Sequence, residues 1–137
     1  MDGCMNSGKG WKRDDPEDWA YWTPECVEMF RGLMALLPDV KIVISSSWRH
    51  VLPVEAFRSM FKEVGLKAEI IGMTPLIWPG VRGGEIKAWL DANPGVVDFV
   101  ILDDDADMVP LMNHLVQTKF ESGLTDCEVE DILRRLS

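Results

Sequence analysis

Hydrophobic positions along the chain follow helical and strand patterns in turn. A first helix is predicted to begin at Thr23-Pro24, an N-cap followed by proline at the first helical position, and apolar residues keep helical spacing up to Pro38. Further helices are predicted over residues 54–64, 85–92, 108–115 and 125–136. Short β-branched runs predict strands over residues 41–45, 68–72 and 98–102. Strands that alternate with helices in this way predict an α/β fold with a parallel, doubly wound sheet.

The first 24 residues show neither pattern. Glycines at positions 3, 8 and 10, the charged run 12–15 and then Pro16 predict a long loop. This loop is rich in aromatic residues, namely Trp11, Trp19, Tyr21 and Trp22. Because a loop of this length in a compact domain usually serves a function, we interpret it as a candidate cap over a site.

Length and charge narrow the class of protein. The 137 residues correspond to about one domain, which we predict to span residues 1–137. With 14 Lys+Arg against 23 Asp+Glu, the net charge of -9 argues against a broad basic surface for extended nucleic acid. No apolar run approaches the roughly 18–20 residues of a membrane span, and the start of the chain lacks the features of a secretory signal, so we expect a cytoplasmic protein. Three scattered cysteines without a C-x-x-C pair predict reduced thiols: Cys4, Cys26 and Cys127.

Three consecutive aspartates, Asp103 to Asp105, follow the third predicted strand. Carboxylates placed together at a strand end repel one another unless a cation or several donors offset their charge. Oxygen-only ligands suit Mg²⁺, which takes one or two carboxylates and keeps several waters. The alternative is that Asp103 caps the following helix and that Asp104, Asp105 and Asp107 are simply solvated.

A second polar segment, Ser45-Ser46-Ser47-Trp48-Arg49, follows the first predicted strand. Its hydroxyls and backbone N–H groups can hold phosphate oxygens, and the Arg49 guanidinium suits bidentate phosphate recognition. The alternative is a helix-capping serine with a structural arginine. Arg82 and Lys87 supply further cations between the two strand ends, although a single surface cation is usually only solvated.

A third motif lies near the start of the chain. The segment Gly3 to Gly10 matches the phosphate-binding pattern G-x-x-x-x-G-K, and Asp103-Asp104 would serve as its acidic strand. Gly10, however, stands where that pattern needs a Ser or Thr hydroxyl for Mg²⁺, and no strand precedes Gly3. A P-loop nucleotide hydrolase or kinase is therefore the weaker enzyme hypothesis.

The ordered polar segments resemble those of haloacid dehalogenase (HAD) hydrolases, and most of all the small HAD domains of Swiss Army Knife RNA repair proteins, which also occur as short phage and bacterial proteins. The segments that carry this resemblance are Asp2-Gly3, Ser45–Arg49, Arg82–Leu90, Val100–Asp105 and Gly123–Thr125. The resemblance implies a HAD-like, Rossmannoid fold, with a substrate-gating cap at residues 6–22. In that family the first strand ends in D-x-D-G, of which Met1-Asp2-Gly3 matches only the second half. We therefore expect the nucleophilic aspartate one position before Met1, a truncated first strand and impaired catalysis.

The same resemblance implies roles for the remaining residues. Asp2 would be the general acid/base and would bind metal, together with Asp103 and Asp104. Ser45 or Ser46 would hydrogen-bond the transferring phosphoryl group, with Ser47 and Arg49 as further phosphate ligands. The cation that stabilises the phosphorylated aspartate would be Arg82 or Lys87, and Arg82 is preferred because it precedes the R-G-x-E-I helix.

The function implied by the resemblance is Mg²⁺-dependent hydrolysis of a phosphomonoester through an aspartyl-phosphate. The expected substrate is a small phosphorylated molecule, a nucleotide or a nucleic-acid end. A non-catalytic module that binds a phosphate ligand or a partner is the alternative outside the enzyme class.

Overall fold

The computed structural model describes residues 4–5, 22–77 and 80–136. Four α-helices and four strands follow one another along these ranges. The helices are α1 (Pro24–Leu36), α2 (Val54–Glu63), α3 (Arg82–Ala92) and α4 (Asp126–Leu136). The strands are β1 (Lys41–Ile44), β2 (Glu69–Met73), β3 (Ile101–Asp103) and β4 (Leu115–Gln117). None of the helices in these ranges has the length and apolar character needed to cross a bilayer.

The strands pair in parallel, β1 with β2 and β3 with β4. Lys41 lies opposite Glu69 at the start of the first pair, and Ile101 lies opposite Leu115 at the start of the second. Within the described ranges these are two separate two-stranded sheets. Helices that alternate with parallel strands agree with the expected α/β class, and the single doubly wound sheet stays a prediction.

Local sequence signals determine where the first two helices begin and end. Pro24 occupies the first turn of α1, where its missing N–H costs no hydrogen bond, and Thr23 before it is extended. At the end of α2, Gly65 has φ of +75°, and the N–H of Leu66 donates to the Phe61 carbonyl at 2.8 Å. This left-handed glycine after the helix is the common way to turn the chain toward the next strand.

The sheet of β3 and β4 separates two hydrophobic clusters. Val116 packs in the larger cluster with residues of α1, α2 and β1, whereas Leu115 packs in a smaller one with Ile86, Ile101 and Met108. Successive residues of a strand point to opposite faces, so this short strand is buried on both sides. The core therefore lies on both faces of the sheet that carries Asp103.

Two predicted elements differ from the structure. The predicted helix over residues 108–115 is wrong, because residues 112–114 form a single 3₁₀ turn and β4 begins at Leu115. The third predicted strand, over residues 98–102, is observed as β3 at Ile101–Asp103, so Asp103 is the last residue of the strand. The predicted cap, residues 6–22, lies outside the described residues except for Trp22.

Candidate functional site

The first turn of α3 contacts the polar segments that follow both β1 and β3. Arg82, its first residue, pairs with Asp103, and Glu85, one turn later, pairs with Arg49. In parallel α/β sheets the carboxyl ends of the strands are where ligands bind. The candidate site is therefore built around the start of α3.

Asp103 is 7% exposed and has a partner for each carboxylate oxygen. Its Oδ2 accepts from Arg82 Nη1 at 2.5 Å, and its Oδ1 accepts from the Asp105 N–H at 3.0 Å. The backbone carbonyl of Asp103 accepts from the Thr118 N–H at 2.9 Å, which continues the β3–β4 pairing by one residue. Arg82, Asp105 and β4 thus fix the position of this carboxylate at the strand end.

Opposite charges dominate around Arg82. Burial lowers the pKa of its guanidinium, but the attraction of Asp103, and then of Asp107 and Asp105, outweighs that effect and leaves the pKa above its usual value. Arg82 therefore lies near three carboxylates, one at the end of β3 and two in the loop after it. A guanidinium held in this way can meet a phosphate oxygen without the cost of bringing a free cation into the site.

The surroundings of Asp104 disfavour its charged form, whereas those of Arg82 favour the charged form. Partial burial, followed by a hydrogen bond with Asp103 and the negative charge of that residue, raises the pKa of its carboxyl group above the ordinary value. The Asp104 carbonyl accepts from Gln117 Nε2 at 3.1 Å, so the segment after β3 is tied to the end of β4. Two adjacent carboxylates whose negative charges repel each other are a donor set that a divalent cation would stabilise.

The loop after Asp105 lies directly against the start of α3. The Gly83 N–H donates to the Asp107 carbonyl at 2.9 Å. A Cβ atom at Gly83 would lie only 2.3–2.4 Å from backbone atoms of Met108 and Val109, so this position leaves no space for a side chain. Gly83 thereby allows the approach that places Arg82 beside Asp103.

The serine segment after β1 has varied exposure. Ser46 is buried, and its hydroxyl accepts from the Trp48 N–H at 3.2 Å as the cap of a 3₁₀ turn over Ser47–His50. Ser45 is half-buried and Ser47 is exposed. The roles predicted for these three serines in phosphate binding stay predictions.

Arg49 lies inside the protein. Its side chain is 2% exposed and donates to Glu85 and to three backbone carbonyls, those of Ser45, Ser46 and Thr74. Lys87, by contrast, is exposed and pairs with Asp91 on the same helix at 2.8 Å. Of the two cations proposed for the phosphoryl group, Arg82 is the one that contacts Asp103.

The segment after Asp2 reaches the same region, although Asp2 itself lies outside the described residues. Cys4 Sγ lies 3.2 Å from Thr118 Oγ1, and the Leu124 N–H donates to the Cys4 carbonyl at 2.9 Å. Thr118 is the residue that donates to the Asp103 carbonyl. Cys4 is therefore connected to the aspartate segment through Thr118, which contacts both Cys4 and Asp103.

No group of three or more His, Cys, Asp or Glu side chains is arranged to hold a metal ion in the part of the chain that the structure describes. Two of the three predicted ligands, Asp103 and Asp104, are adjacent at the end of β3, and the third, Asp2, is outside that part. Mg²⁺ commonly takes only one or two protein carboxylates and completes its shell with water and phosphate oxygens. The two described aspartates are compatible with that kind of site.

Two residues of this region, Glu85 and Thr74, had no predicted role. Glu85 lies within the R-G-x-E-I segment but is 36 positions from its partner Arg49, so spacing alone gives no sign of the pair. Thr74 follows β2, and its buried Oγ1 has no hydrogen-bond partner among the described residues. The only signal in the sequence for Thr74 was its position two residues after the predicted strand 68–72.

The model of one protein family, the HAD domain in Swiss Army Knife RNA repair proteins, matches residues 1–129. The chain belongs to this HAD family. The match spans β1 to β4 and the start of α3, and so includes every described residue of the candidate site. No match was found among curated proteins or among solved structures.

Membership in the HAD family confirms the resemblance derived from the strand-end motifs and places the chain among HAD-type hydrolases. HAD domains generally use Mg²⁺. The contact between Arg82 and Asp103 joins the R-G-x-E-I helix of this HAD domain to its aspartate segment.

Proposed function

We propose that this HAD domain is a Mg²⁺-dependent phosphomonoesterase. The observation that carries the proposal is the pairing of Arg82 with Asp103 at the carboxyl end of β3, beside Asp104. A cation and a pair of carboxylates at one strand end are what a phosphoryl-transfer site needs, because the phosphate is anionic and the metal that neutralises it needs oxygen ligands. The proposed substrate is a small phosphorylated molecule, a nucleotide or a nucleic-acid end.

Each described residue then has a defined task. Arg82 would donate its guanidinium N–H groups to phosphoryl oxygens while Asp103 holds it in place. Asp103 and Asp104 would hold Mg²⁺, and when bound this ion supplies positive charge that offsets the charge of the phosphate. The hydroxyl of Ser45 or Ser46 would orient the phosphoryl group from the end of β1.

The proton transfers belong to Asp2 in this proposal. Its carboxyl group would protonate the leaving oxygen and then take a proton from the attacking water, as the family resemblance implies. The covalent route, in which an aspartate carries the phosphoryl group between the two steps, divides one difficult displacement into two easier ones. The family pattern puts that nucleophile one position before Met1.

The first test is hydrolysis of p-nitrophenyl phosphate with and without Mg²⁺. It is run on the 137-residue chain and on a form extended upstream by the in-frame codons. We expect the extended form to turn over in Mg²⁺ and to lose activity on chelation. Full activity of the 137-residue chain would contradict the assigned nucleophile.

Asp103→Asn is the decisive variant, and Asp131→Asn is its matched control. Both aspartates pair with arginine, but Asp131 lies on α4, where its partners are Arg134 and Arg135 of the same helix. We expect Asp103→Asn to abolish turnover and Asp131→Asn to retain it. If no form is active but orthophosphate still binds after chelation of Mg²⁺, the chain is a phosphate-binding module instead.

A further inference from the structure

Arg49 and Glu85 form the most buried ion pair among the residues that the structure describes. Their side chains are 2% and 10% exposed, and Arg49 Nη2 lies 2.6 Å from Glu85 Oε1. Removing two charges from water is costly, and an interior pair is tolerated only when its geometry and its other hydrogen bonds are good. The remaining contacts of both side chains therefore decide what the pair does.

Arg49 joins the ends of two neighbouring strands. Its Nη1 donates to the carbonyls of Ser45 at 2.7 Å and Ser46 at 3.0 Å, just after β1. Its Nε donates to the Thr74 carbonyl at 3.2 Å, just after β2. One guanidinium thus fixes the backbone that presents the candidate phosphate-binding serines.

Glu85 extends this connection to the helix that carries Arg82. It lies in the first turn of α3, three residues after Arg82, and its Oε2 accepts from the Ile77 N–H at 3.0 Å. The segment that leads from β2 toward α3 is therefore held by the same carboxylate that holds Arg49. Both oxygens of Glu85 are occupied by partners within the protein.

We propose that the Arg49–Glu85 pair is a positioning element that sets Arg82 and the Ser45–Ser47 segment on opposite sides of one phosphoryl group. The proposal rests on the proposed phosphatase function. Arg82 and the serines come from different elements, so their separation depends on what connects α3 to the end of β1. A displacement of about 1 Å in such a site can reduce turnover about 100-fold.

The same contacts argue against direct phosphate binding by Arg49. Its guanidinium already has four acceptors within the protein, and almost none of its surface reaches solvent. A phosphate ligand would have to displace Glu85 or a strand-end carbonyl. Arg49 is therefore a positioning residue, and Arg82 is the arginine left to meet the substrate.

The test separates positioning from stability with three variants of the upstream-extended form, which serves as the parent: Arg49→Met, Glu85→Leu and the double variant. Each single change leaves one buried charge unpaired and is expected to lower the melting temperature, whereas the double change removes both charges and is expected to recover most of it. If the pair positions the site, kcat of the double variant stays about 100-fold below that of the parent at temperatures where both are folded. If kcat recovers along with stability, the inference is overturned.

Arg58→Met is the matched control, because Arg58 also holds a β2 carbonyl, that of Ile70, and pairs with the nearby Glu55. It lies on α2, away from the strand ends that bear the serines, and we expect kcat to stay within about twofold of the parent. A rise in KM at unchanged kcat in Arg49→Met would assign Arg49 to substrate binding and overturn the positioning role.

A second measurement tests the connection without any turnover. In Glu85→Gln, native-state hydrogen exchange is expected to accelerate at the amides of Arg49, Thr74 and Ile77 together, since one pair holds all three segments. Acceleration at Ile77 alone would overturn the inference whether or not the chain hydrolyses phosphate. If the upstream-extended form is inactive while the three amides still accelerate together in this experiment, the proposed function is rejected and the connection stands.

Discussion

Gly83 controls how closely α3 approaches the loop after β3. A methyl group there would meet the Met108 carbonyl carbon at 2.3 Å, whereas the space at neighbouring Gly84 is open. We expect Gly83→Ala to destabilise the protein by about 1–3 kcal/mol, because backbone on both sides would have to move. Gly84→Ala is the matched control and is expected to be neutral or stabilising by up to about 1 kcal/mol, as alanine favours helix.

Urea denaturation of the two glycine variants measures this difference. The phosphatase assay adds a second readout, since a displaced α3 would carry Arg82 away from Asp103. Equal free energies of unfolding for Gly83→Ala and Gly84→Ala would contradict the close approach.

The thiol of Cys4 makes stability depend on alkaline pH. Burial is the main reason that its pKa rises to about 12, with the charges of Asp103 and Asp104 adding to the rise and the Thr118 hydrogen bond opposing it. The unfolded thiol titrates near 9.0, so between about pH 9 and 12 the folded state keeps a proton that the unfolded state releases. Stability is therefore complete below pH 9 and falls as the pH rises, by about 1.4 kcal/mol at pH 10.

Cys4→Ser removes this titration, whereas Cys127→Ser changes an exposed thiol. We expect the decline in unfolding free energy between about pH 8 and 10 to be shallower in Cys4→Ser and unchanged in Cys127→Ser. Parallel declines in all three proteins would show that Cys4 is not protected from ionisation.

At the scale of single residues, the sequence identified the polar residues near the strand ends but not the residues with which they pair. Asp103 and Ser45–Arg49 could be named because the strands before them have a clear β-branched pattern. The partner of Arg49 could not be named, because the pairing with Glu85 depends on the fold that brings the first turn of α3 to the segment after β1. Burial separates Arg49 from Arg82, and the residues that flank each arginine in the sequence do not show which of the two is buried.

At the scale of elements, the helices with strong end signals were predicted best. The observed bounds of α1 and α2 lie within a residue or two of the prediction, because Pro24, Pro38 and Gly65 mark where the helices can begin or end. α3 begins three residues before its predicted start, since Gly83 and Gly84 disfavour helix in isolation but allow close packing here. The packing of Gly83 against the loop after β3 therefore determines where α3 begins.

β4 was missed because its three residues are too few to show a period. Residues 108–115 place apolar side chains at helical spacing, yet Met112 is exposed while Leu115, three positions later, is buried. In an amphipathic helix these two residues would share a face. Pairing with β3 overrides the local pattern, which is common for strands whose partner is already buried.

Alanine substitution distinguishes the two structures for this segment. Leu115→Ala should destabilise the protein by about 2–4 kcal/mol, and Val116→Ala should destabilise it by about 1–3 kcal/mol. Both side chains are buried, each in a different hydrophobic cluster. Met112→Ala is the control and should change the unfolding free energy by less than about 0.5 kcal/mol. A large cost at Met112 with little at Val116 would favour the helix.

At the scale of the whole molecule, the acidic balance bears on the proposed metal. A net charge of -9 raises the local concentration of any divalent cation near the surface, so some stabilisation by Mg²⁺ is expected even without a site. A specific site differs because it depends on particular carboxylates. The distinction can be measured as stability, independently of catalysis.

We expect Mg²⁺ at about ten times its Kd to stabilise the parent by about 1.4 kcal/mol, through binding to the folded state. For a domain of this size that corresponds to a rise in melting temperature of roughly 4–7 °C. NaCl of equal ionic strength screens surface repulsion but cannot occupy the site, so its effect is expected to be smaller. In Asp103→Asn, Mg²⁺ and NaCl should stabilise the protein to the same extent. In Asp131→Asn, Mg²⁺ should still stabilise it more than NaCl does. If Mg²⁺ stabilises Asp103→Asn as much as the parent, the ion acts on the general acidic surface, and the aspartates at the end of β3 do not form the metal site.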